Sequence, residues 1–353
     1  MVNKKFWKKK KVLILGHTGF KGSWLCSILD KLEVQLYGYS LAPRSKKGIF
    51  HLINLKKKFI KSKYGDINDF KKLKKFINSI QPDIIFHLAA QPIVIDSYKN
   101  PLDTFKTNVI GTVNICNIVK KLKKLKSLII VTSDKCYLNL DKKINYFKET
   151  DSLGGFDPYS ASKACTEIVA QSFQKSFFSD VNINSATVRA GNIIGGGDDS
   201  KYRIFSDISR HLFLKKKLIL RNPYSIRPWQ HVLEPLVGYI NLAEILYNGK
   251  KDYIGAWNFG PDTNSVKSVL DLIKEVNKIK KINYKISKKS KKLYESKYLG
   301  LNISKSKKKL KWKPKLSFKK SVELTVDWYL SKEKIKKTSI QIDQYLKDQI
   351  NKL

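Results

Sequence analysis

Three glycines spaced three apart, in Gly16-His17-Thr18-Gly19-Phe20-Lys21-Gly22, follow a short apolar run at 12–15 and open a segment of helical spacing at 20–32. This order of strand, glycine turn and helix constrains the chain more than any other feature. The glycines let the backbone turn tightly and approach a pyrophosphate, which then meets the free N–H groups and positive end of the helix. Any strand-to-helix turn can use glycine, so the pattern is weak in isolation. Between the first strand and first helix of an alternating chain it is strong. Gly16, Thr18, Gly19, Phe20, Lys21 and Gly22 are therefore candidate cofactor-binding residues.

The alternation continues. Residues 34–39 and 58–64 read as strands, 68–80 as an amphipathic helix, 83–90 as a nearly all-apolar strand, 101–122 as a long helix and 127–132 as a fifth strand. A helix at 158–178 and a strand at 184–189 follow. Continuous apolar strands between helices imply a parallel sheet covered on both faces. The expected fold is α/β, a Rossmann-type doubly wound sheet whose ligands sit beyond the carboxyl ends of the strands. After Gly191 the pattern becomes irregular, with the turn Gly195-Gly196-Gly197-Asp198 and prolines 223, 228, 235, 261 and 314. We expect a dinucleotide-binding domain over 1–190, a smaller substrate-binding lobe mainly over 191–330 with some return to the first domain, and a lysine-rich helical tail over 331–353.

The formal net charge is +41, with 70 basic residues of which six are arginine: Arg44, Arg189, Arg203, Arg210, Arg221 and Arg227. The lysines are spread along the whole chain among many Asn and Ile, as expected of solvated surface positions. Nucleic-acid readers favour arginine for bidentate recognition, so no nucleic-acid partner is expected. Each arginine is correspondingly informative, because planar bidentate binding is what lysine cannot supply. No run approaches the ~18 apolar residues of a membrane helix, and the basic N-terminal segment leads into a buried strand rather than a secretory signal. Cys26, Cys116, Cys136 and Cys165 lie far apart without metal-ligand spacing. A metal site and a disulfide framework are not expected, and a cytoplasmic location fits.

Tyr159-Ser160-Ala161-Ser162-Lys163 opens a predicted helix, and the i, i+4 spacing puts Tyr159 and Lys163 on one face. For tyrosine to act as a base near pH 7, its phenolate must be stabilised by about 4 kcal/mol. A neighbouring ammonium and an overlying nicotinamide cation both favour phenolate. Both residues are also expected at the cofactor. Thr132-Ser133-Asp134-Lys135 ends the fifth strand, where a polar cluster faces the same crevice; a plain capped turn is the alternative. The second strand lacks the acidic residue that often holds an NAD ribose. Ser40 could bond a ribose and Arg44 could accept a 2′-phosphate, so these residues leave NAD and NADP open.

The motifs at 16–22, 87–92, 107–112, 132–137, 153–163, 189–198 and 226–236 together make the chain resemble the extended short-chain dehydrogenase/reductases, in the branch of CDP-glucose 4,6-dehydratases. The resemblance runs from about residue 7 to 330. It implies NAD as cofactor, with Asp66 and Ile67 at the adenine, Leu88, Ala89 and Ala90 along the fourth strand, and Asn108 nearby. It implies CDP-glucose as substrate, held by Gln91, Asn192, Arg203 and Arg227, with Arg227 at the pyrophosphate. The implied reaction oxidises C4, eliminates water across C5 and C6, and reduces C6. Tyr159 would take the 4-hydroxyl proton, Ser133 would bond the 4-oxygen, and Asp134 would protonate the departing 6-hydroxyl. Lys135 stands where related dTDP-glucose enzymes carry a glutamate base, and would take the C5 proton or stabilise the enolate. The family implies a homodimer or homotetramer. One departure is Ile95, where the family usually carries arginine. Trp229 and His231 would shape the base pocket or pack the lobe, and 257–261 reads as core and turn. Rival readings are a 4-epimerase, a dehydratase for another nucleotide sugar, or a cofactor-binding regulatory or RNA-binding protein that has lost catalysis. The pair Asp134-Lys135 favours elimination over epimerisation, which needs no such acid and base.

Overall fold

The computed structural model describes residues 2–141, 145–214, 216–287, 296–347 and 349. The strands in chain order are β1 Lys11–Leu15, β2 Gln35–Ser40, β3 Lys61–Tyr64, β4 Ile84–His87, β5 Ser127–Val131, β6 Asn184–Ala190, β7 Ile193–Ile194, β8 Leu218–Leu220, β9 Ile226–Pro228, β10 Gln230–His231, β11 Gly255–Phe259, β12 Val266–Ser268 and β13 Tyr284–Ile286. Seven of them form one parallel sheet in the order β11-β6-β5-β4-β1-β2-β3. The doubly wound α/β architecture expected from the sequence is therefore present.

The strand sequences explain why both faces are covered. Successive side chains point to opposite faces. Val12, Ile14, Ile84, Phe86, Ile129 and Val131 enter one core, while Leu13, Leu15, Ile85, Leu128 and Ile130 enter the other. β3 is different. It reads Lys-Ser-Lys-Tyr, is largely exposed and lies at the sheet edge, where lysines discourage pairing with another chain. It is shorter than the 58–64 expected, because Leu55–Lys58 winds into a 3-10 turn.

The order reverses between β1 and β4, and this is where a doubly wound sheet opens its crevice. The Gly16 N–H donates to the Tyr39 carbonyl at 2.9 Å and the Leu88 N–H to the Leu15 carbonyl at 2.8 Å, so the loops leaving β1, β2 and β4 are held side by side. The expected 101–122 helix is split into Pro101–Phe105, a π-helical turn Lys106–Ile110 and Gly111–Val119. The 158–178 helix likewise ends in a π-helical turn, Gln174–Phe178, after Pro158–Phe173.

The irregular C-terminal third braces the glycine turn at 195–197. Trp24 Nε1 donates to the Gly196 carbonyl at 3.0 Å, and a Cβ on Gly196 would lie 1.9 Å from the Trp328 ring. The helix Lys334–Leu346 is docked as well, with Tyr345 Oη donating to buried Glu234 at 2.7 Å. Of the expected 331–353 tail, 348 and 350–353 lie outside the described residues. Trp257 and Phe259 are fully buried in β11, and β11 adds a strand beside β6.

Beneath the sheet end lies a buried ion pair. Arg189 on β6 donates from Nε and Nη2 to the two carboxylate oxygens of Glu167 at 2.9 and 2.8 Å. Thr132 and Thr187 hydroxyls donate to the same carboxylate, so all its lone pairs facing the core are used. Replacing one partner strands a buried charge, which typically costs about 3–5 kcal/mol. We expect Arg189→Ala to lose stability of that order in urea unfolding. Lys337→Ala, which breaks a surface pair with Asp327 at 2.7 Å, should lose no more than about 1 kcal/mol.

Candidate active site

Two adjoining clefts open at the carboxyl ends of the strands. The first is built on the glycine turn. Gly16 has φ +93°, and a Cβ there would lie 2.7 Å from the Ala89 nitrogen. A Cβ on Gly22 would lie 2.1 Å from the Gly16 carbonyl oxygen. These two glycines let the turn fold on itself and on the loop after β4. Gly19 is different: an added Cβ would meet nothing closer than the Gly16 carbonyl at 3.4 Å. Its bareness serves the cleft, leaving the helix N-terminus open to a ligand. Gly16, Thr18, Gly19, Phe20, Lys21 and Gly22 all line this cleft, together with Ser40, Asp66, Ile67, Leu88, Ala89 and Ala90. Thr18 Oγ1 and Ser40 Oγ are 2.7 Å apart, which joins the glycine turn to the end of β2. The far end of the cleft reaches Tyr159 and Lys163. An elongated groove with a glycine-walled helix N-terminus at its middle fits a dinucleotide.

Tyr159 and Lys163 are both buried on the helix Pro158–Phe173. Asp157 caps it by accepting from the Ser160 N–H at 3.0 Å, and Pro158 begins the first turn, so the tyrosine is held in a well-formed helix start. Lys163 Nζ donates to the Val131 carbonyl at 3.1 Å, anchoring the helix to the end of β5. Burial lowers its pKa to about 8, with Glu167 acting in the opposite sense. Burial pushes the Tyr159 phenol up to about 12, offset in part by the Ser133 hydroxyl and the Arg203 charge.

The second cleft meets the first at Lys21, Thr132, Tyr159 and Arg203 and is also lined by Ser133, Asp134, Lys135, Asn192 and Arg227. Ser133 accepts from the Lys135 N–H at 3.2 Å and donates to Asp134 Oδ1 at 3.1 Å. The turn is thus capped by Ser133, not by Asp134. Asp134 Oδ2 and Lys135 Nζ are buried and have no hydrogen-bond partner among the described residues. Burial raises the Asp134 pKa, with Lys135, Ser133, Arg227 and Lys21 opposing. Lys21 is lowered to about 7, first by burial and then by Arg203 and Lys163. The second cleft is lined by Lys21, Lys135, Arg203, Arg221 and Arg227 against Asp134, Asp198 and Asp207, a balance suited to a diphosphate.

Two expected ligand contacts are occupied within the protein. Gln91 donates from Nε2 to the Ile93 carbonyl and Thr104 hydroxyl, and its Oε1 accepts from the Ile93 N–H. It shapes the turn into the helix Val94–Lys99, while Pro92 and Val94 line the substrate cleft. Asn108, in the π-helical turn, accepts from the Gln91 N–H at 2.8 Å and donates to Ser162 at 2.9 Å. It fastens the loop after β4 to the helix Pro158–Phe173, and Thr107 lines the first cleft instead. Arg203 donates to Asp198 at 3.1 Å. Arg227 Nη1 donates to the Ile226 and Lys297 carbonyls at 2.9 and 3.2 Å. Trp229 is buried, lines the second cleft and donates to the Lys267 carbonyl, whereas His231 is fully buried against Trp24. Sequence reasoning assigned no site role to Tyr202 and Arg221, which also line the second cleft; arginine scarcity was the one available signal for Arg221.

The two kinds of glycine make a prediction. Gly22→Ala should lower stability by about 1–3 kcal/mol, because the added methyl meets backbone. Gly19→Ala should cost less than about 1 kcal/mol. Equal losses in thermal unfolding of the two variants would contradict the distinction.

Comparison with known proteins agrees with this geometry. The GDP-mannose 4,6 dehydratase family model matches residues 13–325. A CDP-glucose 4,6-dehydratase of Salmonella typhimurium is 40% identical over 336 residues, covering 93% of each chain. A UDP-glucose 4-epimerase of Mycoplasma genitalium is 26% identical over 86% of this chain and 92% of its own. In fold, the chain is similar to a dTDP-glucose 4,6-dehydratase of Bacillus anthracis solved in complex with NAD, at TM-score 0.73, 22% identity and coverage of 92% and 97%. It is also similar to an epimerase of Methanothermobacter thermautotrophicus, at TM-score 0.79, 20% identity and coverage of 97% and 96%. The chain belongs to the GDP-mannose 4,6-dehydratase family of nucleotide-sugar enzymes, and within it to the relatives of CDP-glucose 4,6-dehydratase.

Proposed function

We propose that the protein is an NAD-dependent CDP-glucose 4,6-dehydratase, converting CDP-glucose to CDP-4-keto-6-deoxyglucose and water. The observation that carries this reading is the turn at 133–135. It sets a partnerless buried carboxylate oxygen and a partnerless buried ammonium beside Tyr159 in one cleft. Oxidation and re-reduction at C4 alone would need Tyr159 and Lys163; an elimination also needs an acid and a base. The Salmonella typhimurium relative supports CDP-glucose as substrate.

Gly16, Gly19 and Gly22 would hold the NAD diphosphate, Ser40, Asp66 and Ile67 its adenosine end, and Tyr159 with Lys163 its nicotinamide end. Bound NAD supplies reversible acceptance of the C4 hydrogen with its electron pair, returned at C6. Tyr159 Oη receives the 4-hydroxyl proton. The phenol holds a proton strongly at this buried position; the guanidinium of Arg203 and the Ser133 hydroxyl act against that, and the Lys163 ammonium one turn along the helix would add to them. Ser133 Oγ donates to the 4-oxygen, which orients it and steadies the ketone. The ketone acidifies the C5 proton, which Lys135 Nζ takes once neutral. Asp134 gives its proton to the departing 6-hydroxyl; burial favours the protonated carboxyl that this step requires. Arg227, Arg203 and Asn192 hold the sugar diphosphate, in a lobe drawn mainly from 191–330. The protein acts as a cytoplasmic homo-oligomer. Leu102, Ile110 and Ile168 are exposed on helical segments that pack together, which supports a face that a second copy covers. No helix among the described residues is long and apolar enough to cross a membrane.

Incubation with NAD and, separately, CDP-, dTDP-, UDP- and GDP-glucose should give a new C6 methyl doublet in proton NMR with CDP-glucose. A methyl signal with another nucleotide would move the base specificity, and a galactose spectrum without methyl would replace dehydration by epimerisation. Tyr159→Phe should reduce turnover by about 10²–10⁴-fold while substrate binding persists. In deuterated water, Lys135→Met should slow exchange of the C5 proton; an unchanged exchange rate would remove Lys135 from the base role.

A further inference from the structure

The end of β2 poses a selectivity problem. After Ser40 the chain reads Leu41-Ala42-Pro43-Arg44-Ser45-Lys46-Lys47, with three cations and no acid. A loop of that charge beside an adenosine ribose invites a 2′-phosphate, and so favours NADP. We propose that Asp199, delivered from the loop after the 195–197 glycine turn, supplies the missing carboxylate and makes this end of the cleft select NAD. The inference rests on the dinucleotide reading above and names the residue that decides between the two dinucleotides.

The placement is built rather than incidental. Asp199 lines the same cleft as Ser40, Arg44 and Ser45. Its carboxylate packs on Gly48, where an added Cβ would lie 3.1 Å from Oδ2. Burial and the neighbouring Asp198 raise the pKa of this carboxylate, while the Ser45 hydroxyl and the Arg44 charge act to lower it. The two loops are joined at the backbone, since the Ile49 N–H donates to the Gly197 carbonyl at 3.0 Å. Gly197 takes φ +79°, and a Cβ there would meet Ile49 at 2.5 Å, so only glycine permits the approach. The carboxylate at this place accepts hydrogen bonds from ribose hydroxyls and repels a phosphate, while neutralising the nearby guanidinium that would attract one.

Direct binding tests this without turnover. The purified chain is titrated with NAD and with NADP by calorimetry, as wild type, Asp199→Asn, Asp199→Ala and Ser45→Ala. Wild type should prefer NAD. Asp199→Asn keeps the shape and the loop contact but removes the charge, and should shift the NAD-to-NADP affinity ratio toward NADP by at least about tenfold. Asp199→Ala should shift it the same way. Adding Arg44→Ala to Asp199→Asn should abolish the gained NADP affinity. Ser45→Ala keeps the charge and should leave the ratio in place. If Asp199→Asn weakens or spares both dinucleotides equally, the residue is only a loop strut and the inference falls alone. If wild type binds neither dinucleotide, the cofactor reading falls and takes the inference with it.

Discussion

The reversal of strand order between β1 and β4 is the constraint on which the site depends. The connections leaving these neighbours go to opposite faces of the sheet, so no element covers the gap between them. Backbone hydrogen bonds from Gly16 to Tyr39 and from Leu88 to Leu15 hold the gap at a fixed width. Gly16 and Gly22 then permit a turn too tight for any side chain, leaving the first helix N-terminus pointing into it. The apolar strands beneath are buried on both faces, so the rim carrying the polar residues stands on a rigid base.

Charge is distributed over this rim by elements far apart in the chain. Lys21 comes from the helix Phe20–Lys31, Lys135 from the turn after β5, Lys163 from the helix Pro158–Phe173, and Arg203 and Arg227 from the C-terminal part. Burial would discharge some of these cations, as the lowered pKa values of Lys21 and Lys163 show. A bound anion reverses that tendency, since each phosphate oxygen favours the protonated amine. Binding of a diphosphate in these clefts would therefore be coupled to the charge state of Lys21 and Lys163.

What was legible in the sequence was local. The glycine turn, the Tyr159–Lys163 pair and the 132–135 cluster each occupy a few consecutive residues with a definite backbone context, and all face the clefts. The sheet strands were legible because burial on both faces leaves uninterrupted apolar runs. Less legible was where a polar side chain spends its hydrogen bonds. Gln91 and Asn108 have amides that suit a ligand, but they satisfy loop backbone, a threonine and a serine instead. The arginine argument had the right chemistry and, at Arg189, a different partner: the planar fork grips Glu167 inside the protein. Pairing of β11 with β6 joins segments far apart in the chain, and no local pattern encodes such a contact.

The turn at 133–135 shows how little is needed to separate two chemistries on one scaffold. Ser133 caps the turn, which frees Asp134 from the usual capping duty of an aspartate there. Asp134 is left with one bonded oxygen and one free oxygen, in surroundings that favour its protonated form. The next residue turns an ammonium into the same buried space. Two adjacent residues of opposite charge are thereby placed in one cleft, which Tyr159 lines from the helix side. Oxidation at C4 alone would need neither an acid at 134 nor a base at 135, whereas loss of water across C5 and C6 would need both. On the proposed reading, the elimination chemistry is set by one short capped turn, while the glycine turn and the Tyr159–Lys163 pair serve the cofactor beneath it.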